Sequence, residues 1–302
     1  MKLELNELFK KKWFILLSWQ LLSLILCGSG TICKIINNKY ERTIPLLMVS
    51  ISYIFIFLLF CWNKISSNEP FWKYFLISFL TIVGDFTIVY AYNKTSLASI
   101  MILCTTSAIW VVPISFFITG RKINIIQFFG IILGIFGGTF ILIADGTSGI
   151  TLIGNIFALL SAICYSLTTV LQEVLIQRGS YHSYLFLFSI FSLSLSIPGS
   201  AIFEWKLIKY YKWDLNSILL FLIYGITIMM FCVGTSFILQ YSDAQTMNLS
   251  LLTSNFFSLA ISFLVFHTKF SWLYITGFLF IPISLFIFTI FENKKQSNDE
   301  SE

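Results

Sequence analysis

Charge is what this chain has least of. Only 11% of its 302 residues are Asp, Glu, Lys or Arg, against about 25% in an average soluble domain. Histidine occurs twice, at His182 and His267, each near the end of an apolar run. A histidine-based catalytic centre and the common zinc sites are therefore not expected. The six cysteines (Cys27, Cys33, Cys61, Cys104, Cys164 and Cys232) contain no CxxC pair and no Cys/His ligand spacing. They read as small packing residues rather than as a metal cluster or a disulfide framework. There is no P-loop, GxSxG, HExxH or acyltransferase-type His/Asp pair. No catalytic residue, metal or cofactor is expected, and the chain is not read as an enzyme. The net charge of +5 is scattered over loop ends, with one short run at Lys10, Lys11 and Lys12. That run fits a juxtamembrane anchor and is no nucleic-acid footprint.

What fills the chain instead is apolar. It is 57% hydrophobic and 18% aromatic, with mean hydropathy +0.87. Ten apolar stretches are read at 13–33, 44–62, 71–92, 96–119, 123–144, 152–175, 184–203, 217–240, 243–266 and 271–291. Each is close to the ~20 residues that a helix needs to cross hydrocarbon. Backbone left unpaired in lipid is not tolerated, so such stretches must be helices. The first is too long for a signal h-region and ends in no A-x-A-like site, so it is expected to be retained. Asn93-Lys94-Thr95 is a glycosylation sequon in a turn too tight to be modified.

Asp145-Gly146-Thr147-Ser148-Gly149 divides the chain into similar halves. The expected organisation is a cytoplasmic segment 1–12, a five-helix repeat 13–144, a linker 145–151, a second five-helix repeat 152–291 and a disordered cytoplasmic tail 292–302. With five helices per half, the second unit starts on the opposite side of the membrane. The fold class is thus an all-α membrane protein of ten transmembrane helices arranged as two inverted five-helix repeats. With the N-terminus inside, 11 Lys and Arg fall on the inner side and 8 on the outer. That bias puts both termini in the cytoplasm.

Two packing devices stand out. Gly130, Gly134 and Gly138 share one helix face and would let another helix approach closely, with a homodimer seam as the lesser reading. Pro113, Pro198 and Pro282 lie inside spans, where each removes a backbone hydrogen bond.

Polar groups inside apolar spans are costly, ~3 kcal/mol for a charge at the bilayer centre, and usually serve a function. Asp85 and Glu173 are the acids so placed, and both are candidates for interaction with a cation or proton. Glu173 also has the option of snorkelling or pairing with Arg178. No Lys or Arg lies deep within a span. A phosphate-bearing solute in a low-dielectric site needs such bases or helix N-termini. The pattern favours a neutral or cationic solute. Tyr90, Tyr92, Tyr165, Asn248, Thr253 and Asn255 are candidates to contact it, the rings by stacking and the amides by hydrogen bonds.

Several segments carry a family resemblance. They are Gln20-Leu21-Leu22-Ser23 … Cys27-Gly28, Ala91-Tyr92 … Thr95-Ser96-Leu97-Ala98-Ser99, Gly154 … Ala158 … Ala162 … Tyr165 … Glu173, and Asn248-Leu249 … Leu252-Thr253 … Ser258-Leu259 followed by Lys269-Phe270. In order and spacing, over nearly the whole chain, they resemble the drug/metabolite transporter superfamily in its solute carrier family 35, F branch. The resemblance implies the ten-helix, two-repeat transporter fold with a central cavity, and it strengthens a functional role for Glu173. Cys104 and Asn255 stand where members often carry acids, and Asn155 replaces an Asp. Substrate and coupling are therefore not carried across. The expectation is a secondary active transporter, working by alternating access on a small polar organic solute of nucleobase or nucleoside type, with protons as candidate coupling partner. The alternative is a nucleotide-sugar/nucleotide exchanger of the Golgi or endoplasmic reticulum. Plasma membrane and endomembrane both remain open as its location.

Overall fold

A hydrocarbon solvent offers a peptide group no partner, so each segment must satisfy its own backbone. All regular structure among the described residues is accordingly helical. The computed structural model describes residues 12–41, 43–62, 69–119, 149–242, 244–251, 253–267 and 270–280, with isolated positions at 129–144 and 283. The helices are α1 Lys12–Tyr40, α2 Pro45–Phe60, α3 Phe71–Tyr92, α4 Leu97–Thr105, α5 Ser107–Thr119, α6 Gly149–Arg178, α7 Tyr181–Phe203, α8 Trp205–Lys209, α9 Leu215–Ile238, α10 Ala244–Leu251 and α11 Thr253–Leu264. Six helical stretches are long and apolar enough to cross a membrane: Trp13–Tyr40, Phe71–Tyr92, Leu97–Ile118, Thr151–Arg178, Tyr181–Phe203 and Leu215–Ile238. Pro45–Phe60 and Thr253–Leu264 are shorter apolar helices. The chain is an integral, multi-pass membrane protein.

Local chemistry sets the helix ends. Pro45 opens α2, where a missing N–H costs nothing. The Ser96 hydroxyl accepts from the Ser99 N–H to cap α4. Asp214 and Ser217 form a reciprocal capping box at the start of α9. After α1 the chain turns through Glu41 at φ 57°, a left-handed stop of the kind that helix C-termini use.

Several expected boundaries move. The first span, expected to end at residue 33, continues to Tyr40. Its polar residues find partners there: Lys34 Nζ donates to the Tyr92 and Thr95 carbonyls at 2.9 and 2.6 Å. The fourth span is interrupted at Thr106, whose hydroxyl bonds back to the Leu103 carbonyl at 2.6 Å and competes with the helix ladder. The ninth is described as two helices, α10 and α11. The sixth lengthens to 149–178 and the seventh begins at Tyr181. Pro113 and Pro198 lie within α5 and α7 as expected. The ridge of Gly130, Gly134 and Gly138, Pro282, most of the 145–151 linker, the terminal segments, most of the fifth span and the later part of the tenth lie outside the described residues.

Large apolar side chains such as Trp19, Ile56, Leu103 and Phe221 are buried in the bundle, and small polar ones line some of its contact faces. On α7, Ser183, Ser189, Ser192, Ser196 and Ser200 are buried, while Ile197, Ile202 and Phe203 are exposed. Lipid tails drive no hydrophobic association, so small side chains that admit close backbone approach decide which faces meet. The principal packing partners are α3 with α6, α2 with α7, α1 with α9 and α2 with α9. At the α3–α6 contact a methyl group on Gly84 would lie 2.9 Å from the Tyr165 ring. Glycine is what brings α6 up to Asp85's helix.

Candidate functional site

Asp85 follows directly on that glycine, on the wall of a cavity at the centre of the bundle. α1, α3, α4, α5, α6, α7, α9, α10 and α11 all contribute to its lining. Its volume is about 180 Å³, room for several waters or part of a small organic molecule. Among the described lining residues Asp85 is the one charged side chain.

Both oxygens of that carboxylate are occupied. The Tyr53 hydroxyl, from α2, donates to one at 2.5 Å. The Tyr165 hydroxyl, from α6, donates to the other at 2.7 Å. Tyr53 is fully buried and its ring is braced edge-on by Phe188 at 5.6 Å. Two phenols satisfying one carboxylate are the arrangement that lets an acid persist in a dry interior. Around it stand aromatic rings that also line the cavity: Tyr92, Tyr165, Tyr184, Phe188, Tyr224 and Phe231. Rings of this kind present their negative faces to a cation and stack on planar solutes.

Amides and hydroxyls complete the lining. Asn248 donates to the Ala244 carbonyl at 2.7 Å, and its own carbonyl oxygen accepts from Ser107 at 3.1 Å. Gln172 on α6 donates to Ser236 on α9 at 3.0 Å. The contacts fix the orientation of each amide and leave further polar capacity facing the cavity.

Of the sequence candidates, Asp85, Tyr92, Tyr165 and Asn248 meet in this cavity. The other four lie elsewhere. Tyr90 stacks on Phe86 and meets Phe157 edge-on at 4.9 Å. Thr253 shares a 2.9 Å hydroxyl bond with Ser23. Asn255 is buried on α11. Glu173 is buried, accepting from the Ala244 N–H at the start of α10 at 3.3 Å and from Gln177 at 3.3 Å. It does not reach Arg178, which pairs with Glu69 at 3.2 Å.

Sequence reasoning passed over Tyr53, Gln172, Tyr184 and Tyr224. A tyrosine or glutamine inside an apolar run is the usable signal, yet Tyr53, Tyr184 and Tyr224 differ from the many other aromatic positions in the spans only by facing inward. Lys34, expected at the edge of the first span, lies six residues inside the C-terminal end of α1. Lys34 is bound to backbone carbonyls at the C-terminal end of α3, where the helix dipole favours a cation. No cluster of metal-binding side chains occurs among the described residues.

Known proteins resemble this chain along its length. The family model described as SLC35F, Solute carrier family 35, matches residues 8–290. "Solute carrier family 35 member F2" of Mus musculus is 28% identical over 288 residues, covering 89% of this chain and 76% of the relative. Its counterpart in Xenopus tropicalis is 26% identical, covering 88% and 73%. An uncharacterized solute carrier family 35 member of Schizosaccharomyces pombe is 25% identical, covering 73% of this chain and 45% of its own length. A solved crystal structure superposes with TM-score 0.63 at 15% identity, covering 93% of this chain and 96% of the other, a likeness of fold.

Proposed function

The chain belongs to solute carrier family 35, and from that premise we propose that it is a secondary active transporter of a small, neutral or cationic organic solute of nucleobase or nucleoside type. The coarser part, a membrane transporter, follows from the family. The finer part rests on one observation. The central cavity has a single described acid, a wall of aromatic rings and no described Lys or Arg. A planar solute would stack on the rings while its N–H groups or positive charge meet Asp85 and the lining amides. A nucleotide sugar would bring phosphate into the same space without a base to meet it.

Alternating access is the mechanism that the architecture favours, in which two five-helix units, 13–144 and 152–291 joined by 145–151, rock about the cavity. Reciprocal packing supports this reading. Exchanging each helix for its equivalent five spans on turns the α1–α9 contact into the α6–α3 contact. The α2–α7 contact turns into itself and the α2–α9 contact into the α7–α3 contact, and all of these occur. The Asp85–Tyr165 bond joins the first unit to the second between neighbouring helices on the cavity wall. Binding of a proton or a cationic solute at Asp85 would compete with that bond and so would bear on the movement. Both termini are placed in the cytoplasm on the Lys and Arg bias, and Glu173, whose helix end lies one turn from Asn248, is assigned to positioning α10.

Counterflow into liposomes carrying the purified chain tests the proposal, with nucleobases, nucleosides, organic cations and nucleotide sugars as the panel. Flux of a base-like or cationic solute, lost in Asp85→Asn and with nucleotide sugars inert, is the expected result. Exchange of a nucleotide sugar for a nucleoside monophosphate would overturn the substrate assignment.

A further inference from the structure

A second cavity opens on the outer wall of the bundle, and it shares no lining residue with the first. Its described lining is Trp72, Lys73, Ile118, Leu171, Val174, Leu175 and Arg178. Its rim residues occupy one level. Trp72 and Lys73 are in the first turn of α3, Ile118 is the last residue but one of α5, and Arg178 ends α6. All three helices reach a membrane surface there, so the groove lies where hydrocarbon gives way to headgroups.

Its two parts differ in chemistry. The walls given by Ile118, Leu171, Val174 and Leu175 are purely aliphatic. At the mouth stand an ammonium, a guanidinium and an indole that is 60% exposed. Glu69 contacts both cations, Lys73 closely and Arg178 at 3.2 Å, and these partners hold its carboxyl below the ordinary carboxylate range. One charged carboxylate thus faces two cations among the described residues. An ammonium has three donors and a guanidinium five, so most of the donors at the mouth are not used by Glu69. Arg178 keeps 64% of its side chain exposed. An aliphatic slot under a cationic rim, with an indole at interface depth, matches a molecule that has an acyl chain and a phosphate.

We infer that the groove between the ends of α3, α5 and α6 binds an anionic phospholipid, its phosphate on Arg178 and Lys73 and one acyl chain between Ile118, Leu171, Val174 and Leu175. The surplus of cation over carboxylate selects an anionic headgroup over a zwitterionic one. This end of the bundle also carries the larger share of Lys and Arg by the count of 11 against 8, which places it at the cytoplasmic leaflet, where anionic lipids concentrate. The site is independent of what the central cavity transports.

Trp72 supplies the readout. The full chain is reconstituted in phosphatidylcholine vesicles containing, at equal mole fraction, acyl-brominated phosphatidylglycerol or acyl-brominated phosphatidylcholine. The quenched fluorescence that Trp72 contributes is the difference between the wild type and Trp72→Phe. It should show about a fivefold preference for the anionic lipid, the scale of one basic residue near a charged surface. Arg178→Gln should remove the preference and leave ordinary quenching by both lipids. Val174→Phe, which narrows the slot and leaves the cations in place, should weaken quenching by the brominated chain. Equal quenching of Trp72 by the two lipids in the wild type would overturn the assignment. So would loss of the preference on adding soluble glycerol phosphate, which would make this a site for free phosphate. An intact elution profile for each variant separates loss of the site from loss of the fold.

Discussion

The two ends of the bundle are tied together in opposite ways. At the end reached by Tyr40, Glu204 is 2% exposed and both of its carboxylate oxygens accept backbone N–H groups, from Leu46 at 2.9 Å and Leu47 at 3.1 Å. A side chain just past α7 thereby supplies the cap that α2 cannot make for itself, since Ile44 provides none. Tyr40 donates to Asp214 at 2.7 Å on the same side, and its ring meets Tyr211 at 5.6 Å. At the end reached by Arg178, the corresponding charged tie is Arg178 to Glu69, with Arg178 largely in solvent. Buried charge that is fully bonded is costly to break, whereas exposed ion pairs contribute little. Among the described residues, the tie at the start of α2 is therefore a buried clasp, whereas the Arg178–Glu69 tie is held loosely and the buried contact nearest it is that of Glu173 with the Ala244 N–H.

The largest expected effect comes from cutting the clasp. Glu204→Ala leaves the first N–H groups of α2 buried without partners, at a cost of about 2–4 kcal/mol. It should appear as a clear drop in the thermal unfolding midpoint of the detergent-solubilised protein. Unfolding unchanged in this variant would mean that the clasp carries no stability. The pH dependence comes next. Burial pushes the Glu204 carboxyl up from 4.5 to about 6, against the Leu46 and Leu47 N–H groups, which lower it. A raised carboxylate pKa means that the folded state binds the proton more tightly than the unfolded state does. Its contribution is therefore fully present below pH 4.5 and is lost as pH rises to about 6, by up to about 2 kcal/mol. Glu204→Gln should flatten that slope. Equal slopes in the wild type and Glu204→Gln across that window would remove Glu204 as the titrating group.

The sequence made some of this contrast legible and hid the rest. The hydropathy of each run was enough to place the described membrane helices, because lipid leaves the backbone no other option. Asp85 was visible as an acid in an apolar run, and its cavity followed. Glu204 was passed over, because it sits just outside a span, where acids are ordinary. Only the fold brings it to the start of α2, 158 residues away in sequence. Glu173 shows the reverse. It stood out inside a span, yet its oxygens face a helix start and Gln177 rather than the cavity. Hydropathy tells which residues are out of place in lipid, while tertiary pairing decides what each one bonds.

The smallest expected effects set the two exposed ties side by side. Tyr40→Phe deletes the hydroxyl that reaches Asp214 but keeps the ring that packs on Tyr211. The Tyr40 hydroxyl and the Ser217 N–H together hold the Asp214 carboxyl below its ordinary range, so losing the Tyr40 donor should lower stability slightly and leave the Glu204 clasp in place. Arg178→Gln removes a cation that water already solvates and leaves Glu69 its contact with Lys73. Its unfolding midpoint should coincide with that of the wild type at physiological salt. Because both pairs are solvent-exposed, raising the salt should shrink any effect of either, while the loss in Glu204→Ala persists. If Arg178→Gln instead destabilised as strongly as Glu204→Ala, the exposed and the buried tie would be equivalent, and the contrast between them would disappear.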